Sequence, residues 1–193
     1  VLTPNFNLDA YLNDDVSYLS DTNSYINASY FDSKIKDVLP EKLEEYKTRD
    51  ILAELTSLIG INRQIAEANN LNSGGAQYLL KNVDGDFWND VMSSCLTIRT
   101  RLQNVNKEYF ASESAGFQSW CADMWAVLWN GWKLGKETVC HPELEFAWAT
   151  GTEEDWNKFN IFHNAGVTEH GKLFMKANYT NEYPYGIENT FDA

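Results

Sequence analysis

The spacing of apolar positions changes several times along the chain, and each change marks an element. Over residues 8–20, LDAYLNDDVSYLS, apolar and polar residues alternate on both sides of an acidic centre, which predicts strand, acidic turn, strand. Residues 21–30 are polar and rich in turn formers. Pro40, with Glu41, Glu44 and Glu45 close behind it, suits the first turn of a helix. Ile51, Leu55, Leu58 and Ile65 then share one face of an amphipathic helix that ends near residue 70. The segment NSGGAQYLLKN predicts a glycine turn feeding a short buried strand over 76–80.

A long helix follows, because Trp88, Val91, Met92, Cys95, Ile98, Leu102 and Val105 recur at helical spacing behind the acidic residues Asp84 and Asp86. Another is predicted over 114–134, SAGFQSWCADMWAVLWNGWKL, apolar on nearly every side and therefore central, stopping at Gly135. ETVCHPELEFAWAT predicts one or two short strands, EEDWNKF a helical turn and IFHNAG a last strand, ahead of an irregular aromatic tail from residue 173. Neither a repeat nor a low-complexity linker interrupts this order. The expectation is one α/β domain over residues 1–193, with helices packed on a sheet.

Composition narrows the function. With 193 residues, 44% of them hydrophobic, the chain is long enough to bury a core without disulfides. Fifteen Lys and Arg against 28 Asp and Glu give a net charge of −13, which repels nucleic-acid backbones and anionic lipid. Three cysteines, Cys95, Cys121 and Cys140, form neither a paired framework nor a zinc motif, which points to a reducing, cytoplasmic setting. No signal peptide or membrane-spanning run is legible, and the sequons at Asn27 and Asn178 carry no weight without one. Seven tryptophans supply core burial, and the same side chains line clefts for sugars and other flat ligands.

Three clusters are candidates for chemistry. Asn13-Asp14-Asp15 offers hard oxygen ligands for Mg²⁺ or Mn²⁺; taken alone, it reads as a solvated turn. Asn72-Ser73-Gly74-Gly75 lets backbone approach a ligand closely; taken alone, it reads as a plain turn. Asp123 is the sole carboxylate between residues 114 and 134, with Trp120 and Trp125 beside it. On so apolar a helix it either lines a cavity, where burial would raise its pKa, or accepts a bond from an indole N–H. His163, between an apolar strand and an Asn-Ala-Gly turn, and the lysines Lys172 and Lys176 complete the set.

The order of these pieces resembles the later part of a nucleotide-sugar glycosyltransferase of the GT-A fold. NDDVSYL stands where that family has an Asp-x-Asp motif, with Asp15 matching the second aspartate and Asn13 replacing the first. NSGGAQYLL is similar to the family's Asn-x-Gly strand beside the donor sugar, WCADMWAVLW to a helix start with an acidic residue, and FHNAGV to a His-x-x-Gly loop. The resemblance implies a partial GT-A-like mixed sheet with packed helices. It also implies a Mn²⁺ or Mg²⁺ ion held by Asp15, His163 and Asn13. Donor contacts would come from Asn72, Ser73, Gly74, Gly75, Lys172 and Lys176, and sugar contacts from Trp120, Trp125 and Gln77. Asp123 would be the general base or would orient the acceptor. Only residues 1–12 precede Asn13, whereas the family places a nucleotide-binding half there, so the chain is expected to be either a fragment of a longer enzyme or a degenerate relative that holds no donor alone.

The expected reaction is therefore transfer of a hexose from a nucleotide-sugar to a glycan or other hydroxyl acceptor. Two other readings stay open. One is a non-catalytic carbohydrate-binding or interaction module derived from that fold. The other is a structural protein whose Trp-rich helix is simply core. A truncated sheet would also leave a strand edge through which two copies could pair.

Overall fold

The computed structural model describes residues 6–163. Leu8–Leu144 forms one compact unit; the residues flanking it, described over 6–7 and 145–163, belong to a second. The class is α/β, with helices predominating over a small mixed sheet.

In the larger unit, β1 (Ser17–Asp21) is followed by two short helices, α1 (Asn23–Ile26) and α2 (Ala28–Ser33). The polar run there folds as helix because Asn27 caps α2, its side chain accepting the Tyr30 N–H at 2.9 Å, and because α2 buries Tyr30 and Phe31. Pro40 opens a 3-10 turn that leads into α3 (Leu43–Tyr46). The single amphipathic helix predicted from residue 51 is two helices, α4 (Ile51–Ile59) and α5 (Arg63–Ala68). Gly60 sits in the left-handed region at φ 90°, closing α4, and the Asn62 side chain recaps the chain by accepting the Ile65 N–H. Arg63 ties the break down through Asp32, Asp50 and Glu67.

β2 (Gly74–Leu79) lies antiparallel to β1, with Tyr18 opposite Leu79 and Leu19 opposite Tyr78. A bulge interrupts this ladder near Ser20, where Ala76 takes φ 66°. The buried Ser20 hydroxyl patches the gap, donating to the Gly75 carbonyl and accepting the Gln77 N–H. β3 (Thr138–Cys140) pairs parallel with β1 on its other side, so the order is β2-β1-β3. The strand expected near residue 8 is instead a 3-10 turn over Leu8–Tyr11.

α7 (Ala122–Lys133) packs on this sheet at β2, and α6 (Gly85–Tyr109), capped by Asp84, packs on α7. Buried positions on α6 are Phe87, Val91, Ser94, Ile98, Leu102, Val105, Asn106 and Tyr109. Trp88 and Met92, predicted for the apolar face, point outward, one position off the buried row. α7 is central as expected: Trp125 and Trp129 are fully buried and pack with Tyr30, Phe31 and Phe117. All three cysteines are free thiols. Among the described residues, no helix is long and apolar enough to cross a membrane.

The smaller unit contains β4 (Phe146–Trp148), α8 (Glu153–Lys158) and β5 (Ile161–His163). β4 and β5 pair in parallel, so α8 is their crossover. Thr152 and Asp155 form a capping box that fixes where α8 starts.

Candidate functional site

The residues singled out from the sequence are placed as follows. Asn72 closes a 3-10 turn, and its carbonyl accepts the Thr138 hydroxyl at 3.0 Å. Ser73 is buried and donates to the Asn69 carbonyl at 2.8 Å. A Cβ on Gly74 would collide with the Ser20 carbonyl and come within 2.8 Å of the Leu19 Cβ and 3.0 Å of the Cys140 Sγ. One on Gly75 would meet Met124 Sδ at 2.8 Å and the Tyr78 hydroxyl at 3.0 Å. The glycine pair therefore lets β1, β3 and α7 close on β2, and its open Cα positions are filled by this chain's own atoms.

Asp123 occupies the first turn of α7, but it is exposed and accepts the adjacent Met124 N–H at 2.9 Å. The expectation of a carboxylate sunk in an apolar helix fails because position 123 falls on the one open strip of an otherwise buried cylinder. Trp120 and Trp125 do not form one wall. Trp120 is 65% exposed, whereas Trp125 is sealed in the core with its indole N–H donating to the Ile26 carbonyl at 2.9 Å. Asp15 and Asn13 are exposed, and Asp15 accepts the Asn82 side-chain amide at 2.8 Å. His163 ends β5, its ring against Phe146 and Trp148 with centroids 4.9 and 5.5 Å apart. Lys172 and Lys176 lie outside the described residues. Among the described residues, no group of three or more His, Cys, Asp and Glu side chains is assembled to hold a metal ion.

Two of the expected clusters do come together. β2 packs on α7, which sets Gly75 against Met124 and places Tyr78 and Gln77 on the strand beside the Asp123 turn. Burial, reinforced by the nearby Asp123 carboxylate, holds the Tyr78 phenol well above its ordinary range.

A further constellation of polar side chains gathers at the carboxyl end of β3, and of its members only Asp14 belongs to a cluster singled out from the sequence. The 3-10 turn before β1 brings in Tyr11, β1 presents Tyr18, and β3 is prolonged by His141, whose N–H donates to the Leu19 carbonyl at 2.9 Å. Three aromatic rings meet edge to face: Tyr11 and Tyr18 at 5.0 Å, Tyr11 and His141 at 5.1 Å, Tyr18 and His141 at 5.6 Å. Each phenol is tied to a carboxylate. Tyr11 donates to Glu143 at 2.5 Å and Tyr18 to Asp14 at 2.7 Å. Lys81 completes the group, donating to the Tyr11 carbonyl, to the Asp14 carbonyl at 3.0 Å and to its carboxylate at 3.3 Å.

The charge states follow from these bonds. Burial first, then the bond to Glu143, keeps the Tyr11 phenol protonated far above its usual range. The bond to Asp14 raises Tyr18, and the same bond, with the Val16 N–H and Lys81, holds Asp14 below the usual carboxylate range. The Glu143 N–H and the Tyr11 hydroxyl oxygen each lie 3.3 Å from His141 Nδ1, so this nitrogen accepts from Glu143 in one tautomer and donates to Tyr11, whose own proton goes to Glu143, in the other. The result is a rim with two exposed carboxylates, a half-exposed imidazole and aromatic edges. One signal was available: His141 directly follows a strand, at the carboxyl end of a parallel ladder where ligands often bind.

The smaller unit carries its own aromatic surface. Trp156 stacks on Phe162 at 4.1 Å, and Trp148 and Trp156 are about half exposed. Comparison of the chain with models of known protein families, with curated proteins and with solved structures gave no significant match.

Proposed function

We propose that this chain is a carbohydrate-binding module whose ligand docks on the rim formed by Asp14, Tyr18, His141 and Glu143. The observation that supports it is the pairing of two exposed carboxylates with edge-exposed rings around a locked lysine. Each carboxylate offers about four lone-pair sites; Glu143 gives one to Tyr11, and Asp14 gives one each to Tyr18, the Val16 N–H and Lys81, so the acceptors left for the donor hydroxyls of a sugar lie mainly on Glu143. Half-buried rings supply the apolar contact that the C–H face of a pyranose needs. Glycan array screening, then calorimetry with the best ligand, tests this. Tyr18→Ala and Glu143→Gln are each expected to weaken binding at least about 10-fold, since a lost hydrogen bond to a charged group is worth about 1.5–3 kcal/mol. Glycan binding indifferent to both substitutions would overturn the assignment.

A second reading is favoured by the contact of β2 with α7. It is the hexosyl transfer implied by the resemblance to GT-A enzymes, with Asp123 receiving the proton of the acceptor hydroxyl and Trp120 offering a stacking face. Gln77 and the Asn72–Gly75 strand would then lie along the donor sugar. Mn²⁺ or Mg²⁺ would enter with the donor diphosphate, because no described group of side chains is assembled to hold it alone. Titration of UDP and GDP with and without Mn²⁺, against the chain and an Asp15→Ala, His163→Ala variant, separates the two. Nucleotide binding that needs Mn²⁺ and vanishes in the variant supports transfer; glycan binding indifferent to nucleotide and cation supports the module.

A further inference from the structure

Helix α6 leaves a ridge of large apolar side chains in solvent. Trp88, Met92 and Leu96 stand one turn apart on the same side and are 49%, 64% and 64% exposed. The Trp88 indole is propped edge-on against the buried Phe87 ring at 5.1 Å, so it stands outward as a fixed feature. Leu58 of α4, 55% exposed, extends the surface sideways. Between them runs an open groove of about 440 Å³ lined by Leu58, Leu96, Thr97, Thr100, Arg101 and Asn104. Isolated exposed leucines need no explanation, but four large apolar groups on one continuous strip do.

Charge on this strip selects its occupant. The chain carries −13 overall, so most of its surface repels a second copy. α6 is polarised along its length: Asp84, Asp86 and Asp90 lie in its first half, and Arg99, Arg101 and Lys107, with Glu108, in its second. The backbone dipole, positive where the aspartates sit and negative near Lys107, favours those side chains at their own helix ends and offsets only part of their field. A strip acidic at one end, apolar in the middle and basic at the other is complementary to itself when inverted.

We infer that two copies of this chain associate through α6, antiparallel, about a two-fold axis beside Leu96. In that arrangement Leu96 of one copy meets Leu96 of the other, and Met92 fills the neighbouring groove at Thr100. Asp86 faces Lys107 of the second copy, and Trp88 covers the Gln103–Lys107 turn, where a lysine over an indole adds a cation–π contact. The interface is isologous, so every favourable pair occurs twice. It uses none of the rim residues Asp14, Tyr18, His141 and Glu143, and it does not depend on what that rim binds.

Sedimentation velocity on the full chain over a micromolar to sub-millimolar range tests the inference. Wild type is expected to be a concentration-dependent dimer. Leu96→Glu sets two carboxylates against each other on the axis and is expected to weaken dimerisation about 30-fold or more. Leu96 is solvent-exposed in the single copy, so the variant should fold, which an unchanged circular dichroism melt at low concentration checks. Asp86→Lys should also weaken the dimer, and Asp86→Lys with Lys107→Asp should restore it. A wild-type monomer throughout the range, or a dimer untouched by Leu96→Glu and therefore joined elsewhere, for instance by a sheet edge, would overturn the proposal.

Discussion

Asn106 is the buried polar residue whose replacement has the most sharply defined cost. It lies on α6, 1% exposed, and clamps the segment that returns the chain to α7. Its Oδ1 accepts the Phe117 N–H at 2.8 Å, and its Nδ2 donates to the Phe117 carbonyl at 2.8 Å and to Glu113 at 3.1 Å. Gly116 is required beside it, since a Cβ there would overlap the amide. Asn106→Ala leaves the buried Phe117 N–H without a partner, at about 1–3 kcal/mol, while the Phe117 carbonyl keeps the Ser119 N–H at 2.8 Å. With the lost bonds from Nδ2 to that carbonyl and to Glu113 added, the expected loss is about 2–4 kcal/mol, a large share of the stability of a domain this size. Asn106→Asp is the sharper probe. It keeps the acceptor but turns the donor into a second acceptor facing the Phe117 carbonyl and Glu113, so at pH 7 it should cost at least as much as alanine. Burial and those acceptors raise the pKa of the introduced carboxyl above its unfolded value. Its neutral form can donate, so the deficit relative to wild type should shrink as pH falls toward 5. Urea denaturation followed by tryptophan fluorescence reads both effects. An alanine variant within 1 kcal/mol of wild type, or an aspartate variant indifferent to pH, would refute the clamp.

Two further outcomes follow from packing and burial. Gly74→Ala drives a methyl into backbone and should cost about 3 kcal/mol or more; Gly75→Ala meets only the flexible end of Met124 and the Tyr78 hydroxyl and should cost about 1 kcal/mol, which comparative thermal melts will rank. Burial pushes the Cys121 thiol up to about 12 and Cys140 to about 11, and the Tyr30 and Tyr46 phenols up to about 12. In the unfolded chain these groups lose their protons nearer 9 and 10, so between pH 9 and 12 the unfolded state binds fewer protons and stability falls as pH rises. Urea midpoints level from pH 7 to 8.5 and declining from 9 to 11 are expected; a midpoint that holds to pH 11 would contradict the burial of these groups.

What the sequence made legible was governed by local periodicity. The helix from Asp84, the β2 strand, the helical turn over 153–158 and the Trp-rich helix, though it starts at Ala122 and not at residue 114, all announce themselves within a single window of residues. Residues 23–33 did not, because an Asn cap and two buried aromatics outweigh a polar composition. Nor did the break at Gly60, where apolar periodicity runs across a left-handed cap. The rim of Tyr11, Tyr18, His141 and Glu143 was illegible for a different reason. Its two halves, Tyr11 with Tyr18 and His141 with Glu143, are separated by more than a hundred positions, and only the parallel pairing of Ser17 with Thr138 brings them together. Glycines read as a ligand cradle proved to be a packing device, since the same lack of a Cβ serves both ends and only the neighbours distinguish them.

The position of β1 has a consequence for how the chain is made. It is the central strand, yet it is synthesised first, and its partners arrive at residues 74–79 and 138–140. α6 and α7 can pair across one short connection soon after they leave the ribosome, whereas β1 must wait for nearly all of the larger unit. Until β2 is made it is a bare strand with two open edges, and until β3 is made one edge stays open to pairing with another nascent chain. Closing so long a loop makes sheet assembly the slow step, and β3, only three residues long, is the last bolt in the door.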